Sequence, residues 1–319
     1  MPSYDIITFG ETMLRLSPPA HGRLENAHTL DFRIGGSESN TAVALSRLGR
    51  SVSWWSKLPD TVLGRKVSGH MAQWGVDISH IIWTPTGRVG IYFLEHGSPP
   101  RQTHVHYDRA NSAVSTLTPE EVNWSQLDSA RHLHVTGITS ALSPNCAATV
   151  ERAVKEAKSR GLTVSLDVNY RSKLWSAAQA RETLSALMSQ VNLLFCPLGD
   201  ADAVFGVKGS PASVSRRLQQ VLKVKTVVVT GSPEHVAAVD GEALFRSEVV
   251  HAREVDRVGA GDAGDAGILH GYLDGDLQKG LRYGSAMAAL KHTVPGDELI
   301  ATRAEIEAVV QGVTAGIHR

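Results

Sequence analysis

The chain is short of several things, and each shortage excludes something. Only two of its 319 residues are cysteine, Cys146 and Cys196, which gives no disulfide framework. Net charge is absent: 32 Lys plus Arg balance 32 Asp plus Glu. There is therefore no basic excess to hold a nucleic-acid backbone or an anionic membrane non-specifically, and any anion site must be local. No apolar run approaches the roughly 18 residues of a membrane span, and no repeat period or low-complexity tract is present. The opening MPSYDIITFG lacks the basic region and apolar segment of a secretory signal. These absences predict a cytoplasmic globular protein with no nucleic-acid or membrane partner. Histidine is plentiful, at 14, but HVHYDR and HLHV place pairs at i, i+2 in expected strands with no thiolate or third ligand near. That spacing describes solvated or packed histidines, not a metal cluster.

What is present is alternation. Short β-branched runs (YDIITFG, SVSWWS, HLHVTG, TVSLDV, VNLLFC, TVVVT) are separated by stretches of helical spacing, the pattern of βα units around a mostly parallel sheet. In the clearest unit, residues 144–160 put Val150, Ala153, Val154 and Ala157 on one helical face before Gly161 ends the helix. Four segments, MLRLS, LDFRIGG, RVGIYFLEH and THVHYDR, are strand-like with no helix after each. They predict a small antiparallel sheet beside the core, placed to cover a cleft or to form a subunit contact.

The chemistry-bearing stretch is VGAGDAGDAG, Val258 to Gly267. Its glycines at 259, 261 and 264 fit the dinucleotide fingerprint G-x-G-x-x-G. That fingerprint needs a hydrophobic strand immediately before it and a βαβ context. The preceding AREVDR is too charged for such a strand. The better reading is a tight turn, Gly259-Ala260-Gly261-Asp262, opening a helix whose first backbone amides and dipole would stabilise negative charge on a phosphoryl group. Asp262 would stand beside this anion hole as acceptor for the proton of an attacking hydroxyl. The plainer alternative, that Asp262 only caps a helix, stays open on this loop alone.

Further segments carry a resemblance. GGSESNTAVALSRLG, Gly35 to Gly49, resembles the N-terminal signature of the ribokinase-like sugar kinases (the phosphofructokinase-B family), and DRVGAGDAGDAG resembles their C-terminal one. FGETMLRLSPP, VGIYFLEHGSPPRQTHVHYDRANSA, DVNYR and SAMAALKHTVPGD are similar, in the same order, to the 2-keto-3-deoxygluconate kinases within that family. The resemblance implies a three-layer ribokinase-like α/β sandwich: one kinase domain over 1–319, with a β-sheet lid drawn from about 12–36 and 88–110. It implies that Asp262 is the catalytic base beside the Gly259, Ala260 and Gly261 backbone. Gly35, Gly36 and Asn40 would meet the sugar, and Tyr92, Tyr107, Arg109 and Arg171 would contact an acidic substrate. Guanidinium groups suit that task because they pair with carboxylates through two parallel hydrogen bonds.

ATP is the implied phosphoryl donor. Its contacts are expected at Thr230 and Gly231 and on the helical segment carrying Ala289 and His292, as well as at Gly259 and Gly261. Mg2+ is expected with the nucleotide and not in a cage of side chains. The family's N-x-x-E motif is replaced by CPLGDADAVFG, with Pro197 at the Asn place and Asp200 at the Glu place, so Asp200 is the candidate for a water-mediated metal contact. The expected activity is ATP-dependent phosphorylation of 2-keto-3-deoxy-D-gluconate at its terminal hydroxyl. A neutral-sugar kinase of fructokinase or ribokinase type is the alternative, and a non-catalytic sugar-acid-binding regulator is an alternative of another class. Exposed strand edges on the lid predict a homo-oligomer formed through it.

Overall fold

The computed structural model describes residues 3–313. The first apolar run forms β1 (Ile6–Phe9), after which the chain leaves the core for β2 (Met13–Ser17) and β3 (Asp31–Gly35). It returns through β4 (Val52–Trp55), β5 (Lys57–Pro59) and β6 (Ile82–Thr84), then leaves again for β7 (Ile91–Glu95) and β8 (His104–Asp108). The rest of the chain supplies β9 (His132–Thr136), β10 (Thr163–Asp167), β11 (Leu193–Phe195), β12 (Thr226–Val229), β13 (His235–Asp240) and β14 (Ala243–Glu248). Eight of these strands make the main sheet, in the order β14-β13-β12-β11-β10-β9-β1-β4. From β12 to β4 all neighbours are parallel, and β13 and β14 add an antiparallel edge.

Both faces of the parallel strands are buried, as helical crossovers require. Ile6 belongs to the core layer on one side, with Trp54 and Phe195, and its neighbour Ile7 to the layer on the other, with Leu133 and Val135. Each such side chain contributes about 1.5–3 kcal/mol relative to an exposed position. The helix Pro144–Ser159 shows how local chemistry sets a crossover. Ser143 caps it by accepting from Cys146 N at 3.0 Å, proline takes the first position, and Gly161 follows in the left-handed region at φ +80. The four residues expected on its inner face are all buried. Cys146 and Cys196 are buried free thiols.

The four stray segments form one sheet in the order β3-β2-β7-β8. Its pairing corrects the antiparallel expectation: β2 and β7 run parallel, and the outer pairs alone are antiparallel. The reason is connectivity, because a long excursion through the core separates β2 from β7 and a tight hairpin cannot join them. After Gly231 the chain turns back as β13 and pairs antiparallel with β12.

Two C-terminal helices, Ala260–Leu273 and Leu277–His292, pack unusually close because glycines face each other. A Cβ on Gly267 would lie 2.5 Å from Gly284 N, and one on Gly271 would lie 2.2 Å from Gly280 N. That contact brings the ends of both helices to the mouth of the parallel strands. No helix among the described residues is long and apolar enough to cross a membrane.

Candidate active site

Loops at the carboxyl ends of the parallel strands meet under the small sheet, the place where open α/β sheets bind ligands. The turn predicted from the sequence is there. Gly259 adopts φ +83, and the Ala260–Leu273 helix starts immediately after it. A side chain at 259 is excluded twice, by that backbone and because a Cβ would sit 1.7 Å from Asp297 O. The Ala260 amide closes the turn on Arg257 O at 3.2 Å, which removes it from the anion hole. The amides of Gly261 and Asp262 have no backbone acceptor among the described residues, so those two donors remain for a ligand. A Cβ at Gly261 would meet nothing within 4 Å beyond its own turn of helix, which leaves room for close approach.

The turn is a wall shared by two cavities. One, of about 100 Å³, is lined by Gly259 and Asp262 together with Gly35, Gly36, Asn40, Tyr92, Tyr107, Arg109 and Arg171, so the structure brings all the expected substrate residues to one place. The other, of about 330 Å³, is lined by Ala260 and Gly261 with Thr230, Gly231, Ala289 and His292. Gly35 and Gly36 are glycine for a reason sequence did not reveal. A Cβ at 35 would lie 2.2 Å from an Asp297 carboxylate oxygen, and one at 36 would lie 2.2 Å from Glu11 O.

Asp262 is held by two donors, Ser37 Oγ to Oδ1 and Asn40 Nδ2 to Oδ2, each at 2.7 Å. Asn169 Nδ2 in turn donates to Ser37 Oγ at 2.8 Å. Burial raises the Asp262 carboxyl above the ordinary range, while Ser37, Asn40 and the nearby Arg171 charge oppose the rise. Below it lie more acids. Burial and the charges of Asp200 and Asp262 push Asp167 up to about 8. Burial and Asp167 take Asp265 well above the ordinary range. Burial and neighbouring acids thus favour the protonated form of those inner groups, while Asp262 lines the cavity itself.

The two candidate cations differ. Arg109 stacks over the Tyr107 ring, 5.2 Å from its centre. Its Nε donates to Glu11 Oε2 at 2.8 Å, and Nη2 bonds the same oxygen. Its charge is thus already matched inside the protein. Arg171, half-buried, donates only to the Tyr170 carbonyl at 3.1 Å among the described residues, so its guanidinium remains open to an acid. Tyr92 is buried and gives its hydroxyl to Asp297, which makes it part of the frame as well as the lining. Asp200 Oδ2 accepts from Tyr170 N at 2.8 Å. No three His, Cys, Asp or Glu side chains among the described residues are arranged to hold a metal.

Sequence reasoning missed several functional neighbours. Ser37 and Asn169 stand inside motifs already singled out, GGSESN and DVNYR, and only their partners were invisible. Arg15 was hidden in a strand-like run. It is fully buried and binds Asp256 at 2.6 Å, Asp297 at 2.5 Å and His96 Nε2 at 2.7 Å, tying β2 to both segments that flank the turn.

Comparison with known proteins gives one consistent answer. Residues 4–302 match the pfkB family of carbohydrate kinases. The chain is 40% identical over 316 residues to 2-dehydro-3-deoxygalactonokinase of Haloferax volcanii, covering 99% of each chain. It is 31% identical to 2-dehydro-3-deoxygluconokinase of Bacillus subtilis, covering 92% of this chain and 91% of that one. The crystal structure of 2-dehydro-3-deoxygluconokinase from Thermotoga maritima superposes with a TM-score of 0.88 at 34% identity, over 96% of this chain and 99% of the other.

Proposed function

Since the chain belongs to the pfkB family of carbohydrate kinases, we propose that it is an ATP-dependent sugar-acid kinase acting on the terminal hydroxyl of a 2-keto-3-deoxyhexonate. The observation that carries this reading is the shared wall. One turn presents a carboxylate to a cavity holding an open guanidinium, Arg171, and presents free amides and small residues to a second, larger cleft.

In this reading Arg171 pairs with the acid end of the sugar, and Asn40 with the Gly35–Gly36 backbone meets its hydroxylated body. Asp262 takes the proton of the primary alcohol as that oxygen bonds to phosphorus and the bond to the departing nucleoside diphosphate breaks. Asp262 has the capacity to do this while holding Ser37 and Asn40, because each carboxylate oxygen accepts more than one hydrogen bond. Amides of Gly261 and Asp262 meet the charge that spreads over the transferred group. Closure of the small sheet over the sugar excludes water as a competing nucleophile. Thr230, Gly231, Ala289 and His292 hold the nucleotide, which supplies the phosphoryl group when bound. The inner acids fit magnesium only through water. Asp200 is the side chain for that contact, and the ion would neutralise phosphate charge.

The pairing of Arg109 with Glu11 favours a second reading, a neutral-sugar kinase, because it leaves one open cation where the sequence offered two. The intact turn and Asp262 argue against a non-catalytic regulator. An assay of ADP release with magnesium distinguishes these. The panel is 2-keto-3-deoxygluconate, its galactonate epimer, fructose and ribose. Selective turnover of the acids is expected. Turnover of the hexose or pentose alone would overturn the acid assignment, and ATP-independent binding without ADP release would overturn the kinase one.

A further inference from the structure

Lysine is almost never fully buried without a carboxylate partner, yet Lys291 has no exposed surface. It stands in the last turn of the Leu277–His292 helix, where a cation is favoured by the dipole, but its ammonium does not stop at its own helix. Nζ donates to Asp256 O at 3.0 Å and to Val294 O at 3.1 Å. It lines neither cavity.

Those two carbonyls belong to the segments that make the catalytic turn. The first segment runs from Val255 directly into Gly259. The second brings Asp297 O into the space a Gly259 side chain would need. Around them the charges close on one another. Asp256 and Asp297 are buried acids facing a single guanidinium, Arg15, and Lys291 supplies the second positive charge. A further bond, Gly296 N to Asp256 Oδ2 at 3.0 Å, joins the same two segments.

We infer that Lys291 is a positioning residue for phosphoryl transfer: a built-in cation whose ammonium clamps the Asp256 and Val294 carbonyls together and so holds the Gly259–Asp262 turn in its working shape. An apolar residue of similar length would fill the space but leave both carbonyls without a donor and the two acids with one counter-charge. Truncation would leave a small void faced by carbonyl oxygens, the kind of surroundings that accept a monovalent cation. Burial lowers the Lys291 pKa, while Asp256 and Asp297 oppose the fall.

The inference rests on the kinase reading for its kinetic arm, and an arm without turnover keeps the two separable. Lys291→Met and Lys291→Ala are compared with the native protein for ADP release and for hydrogen exchange of the amides in 255–262. The expected result for Lys291→Met is a fall in kcat of about tenfold or more, the scale of losing charged hydrogen bonds. KM for both substrates should stay near native, and exchange across the turn should quicken. In Lys291→Ala, ammonium or potassium chloride should restore both kcat and protection saturably, while choline chloride at equal ionic strength should not. The inference is overturned if Lys291→Met keeps kcat within about twofold of native. It is overturned equally if Lys291→Ala loses activity and protection with no recovery in ammonium or potassium, the mark of a merely structural lysine. A native protein that releases no ADP with any sugar overturns the kinase reading alone, and the exchange arm still decides the clamp.

Discussion

Replacing Asp262 with asparagine isolates the base from the scaffold, because the surrounding hydrogen bonds survive in one orientation. Asn40 Nδ2 can only donate, so the new amide must turn its oxygen toward Asn40 and its NH2 toward Ser37. Ser37 Oγ already accepts from Asn169 Nδ2 and has a second lone pair for the newcomer. The substitution also removes a buried charge. Folding should therefore cost no more than about 1–2 kcal/mol, the range for one altered buried hydrogen bond. Turnover should fall far more. A positioned general base contributes about 10²–10⁴-fold, about 2.7–5.5 kcal/mol at 1.36 kcal/mol per tenfold. The assay is ADP release under saturating ATP and sugar acid, with the melting temperature and the sugar dissociation constant measured on the same preparation. A loss of kcat in that range with melting and sugar affinity near native is the expected outcome. If Asp262→Asn kept kcat within about tenfold, or lost activity only in step with unfolding, the carboxylate would be a helix-end support and the proposed chemistry would fail.

Arg171→Ala should weaken sugar-acid binding by about 1.5–3 kcal/mol, the scale of hydrogen bonds to charged groups. It should leave binding of the corresponding neutral sugar unchanged, and calorimetry with the two ligands checks both arms. Gly259→Ala and Gly261→Ala form a matched pair. The first forces a methyl into Asp297 O at φ +83 and should abolish turnover and lower the melting temperature. The second meets nothing within 4 Å beyond its own turn of helix, so it should fold normally and raise the KM for ATP. Acid should destabilise the core through His132 and His134, which burial holds at about 3. Above pH 6.5 both folded and unfolded histidines are neutral and contribute nothing. As pH falls below that value the unfolded chain takes up protons that the folded one refuses, costing roughly 2 kcal/mol per histidine at pH 5. Denaturant titrations between pH 7 and 5 should show this decline, and His134→Gln should reduce it.

Much of the architecture was legible because it rests on periodicity. Short β-branched runs marked the core strands, 3.6-residue spacing marked the Pro144–Ser159 helix, and β2, β3, β7 and β8 stood out by lacking crossover helices. What periodicity does not carry is partner choice. It gave no sign that β2 would pair parallel with β7, since that depends on where a long detour returns. Site residues divided in the same way. Asp262 was readable from its glycine turn and Asn40 through the family resemblance of its motif, whereas Arg15, Asp256, Asp297 and Lys291 come from distant segments that only folding brings together. Arg109 was legible as a residue facing the cavity, but its partner Glu11 lies 98 positions away. The separation concealed that its charge was already matched.

That matching shapes the final balance of charge. Glu11 is paired with Arg109 and Asp297 with Arg15, so the groups left facing the cavity unmatched are Arg171 and Asp262. Arg171 is one of the influences holding the Asp262 proton affinity down. A sugar carboxylate drawn to Arg171 neutralises that influence and makes Asp262 the stronger base, whereas a neutral sugar leaves it as it was. As the proposed base, Asp262 would work only while ionised, and turnover would be lost as pH falls through its pKa. The acid limb of kcat, which reports the bound complex, should therefore lie at higher pH for the keto-deoxy acid than for its neutral analogue. The acid limb of kcat/KM set by Asp262, which reports the free enzyme, should be the same for both. Identical kcat limbs for the two substrates would mean that the acid end of the sugar does not sit at Arg171.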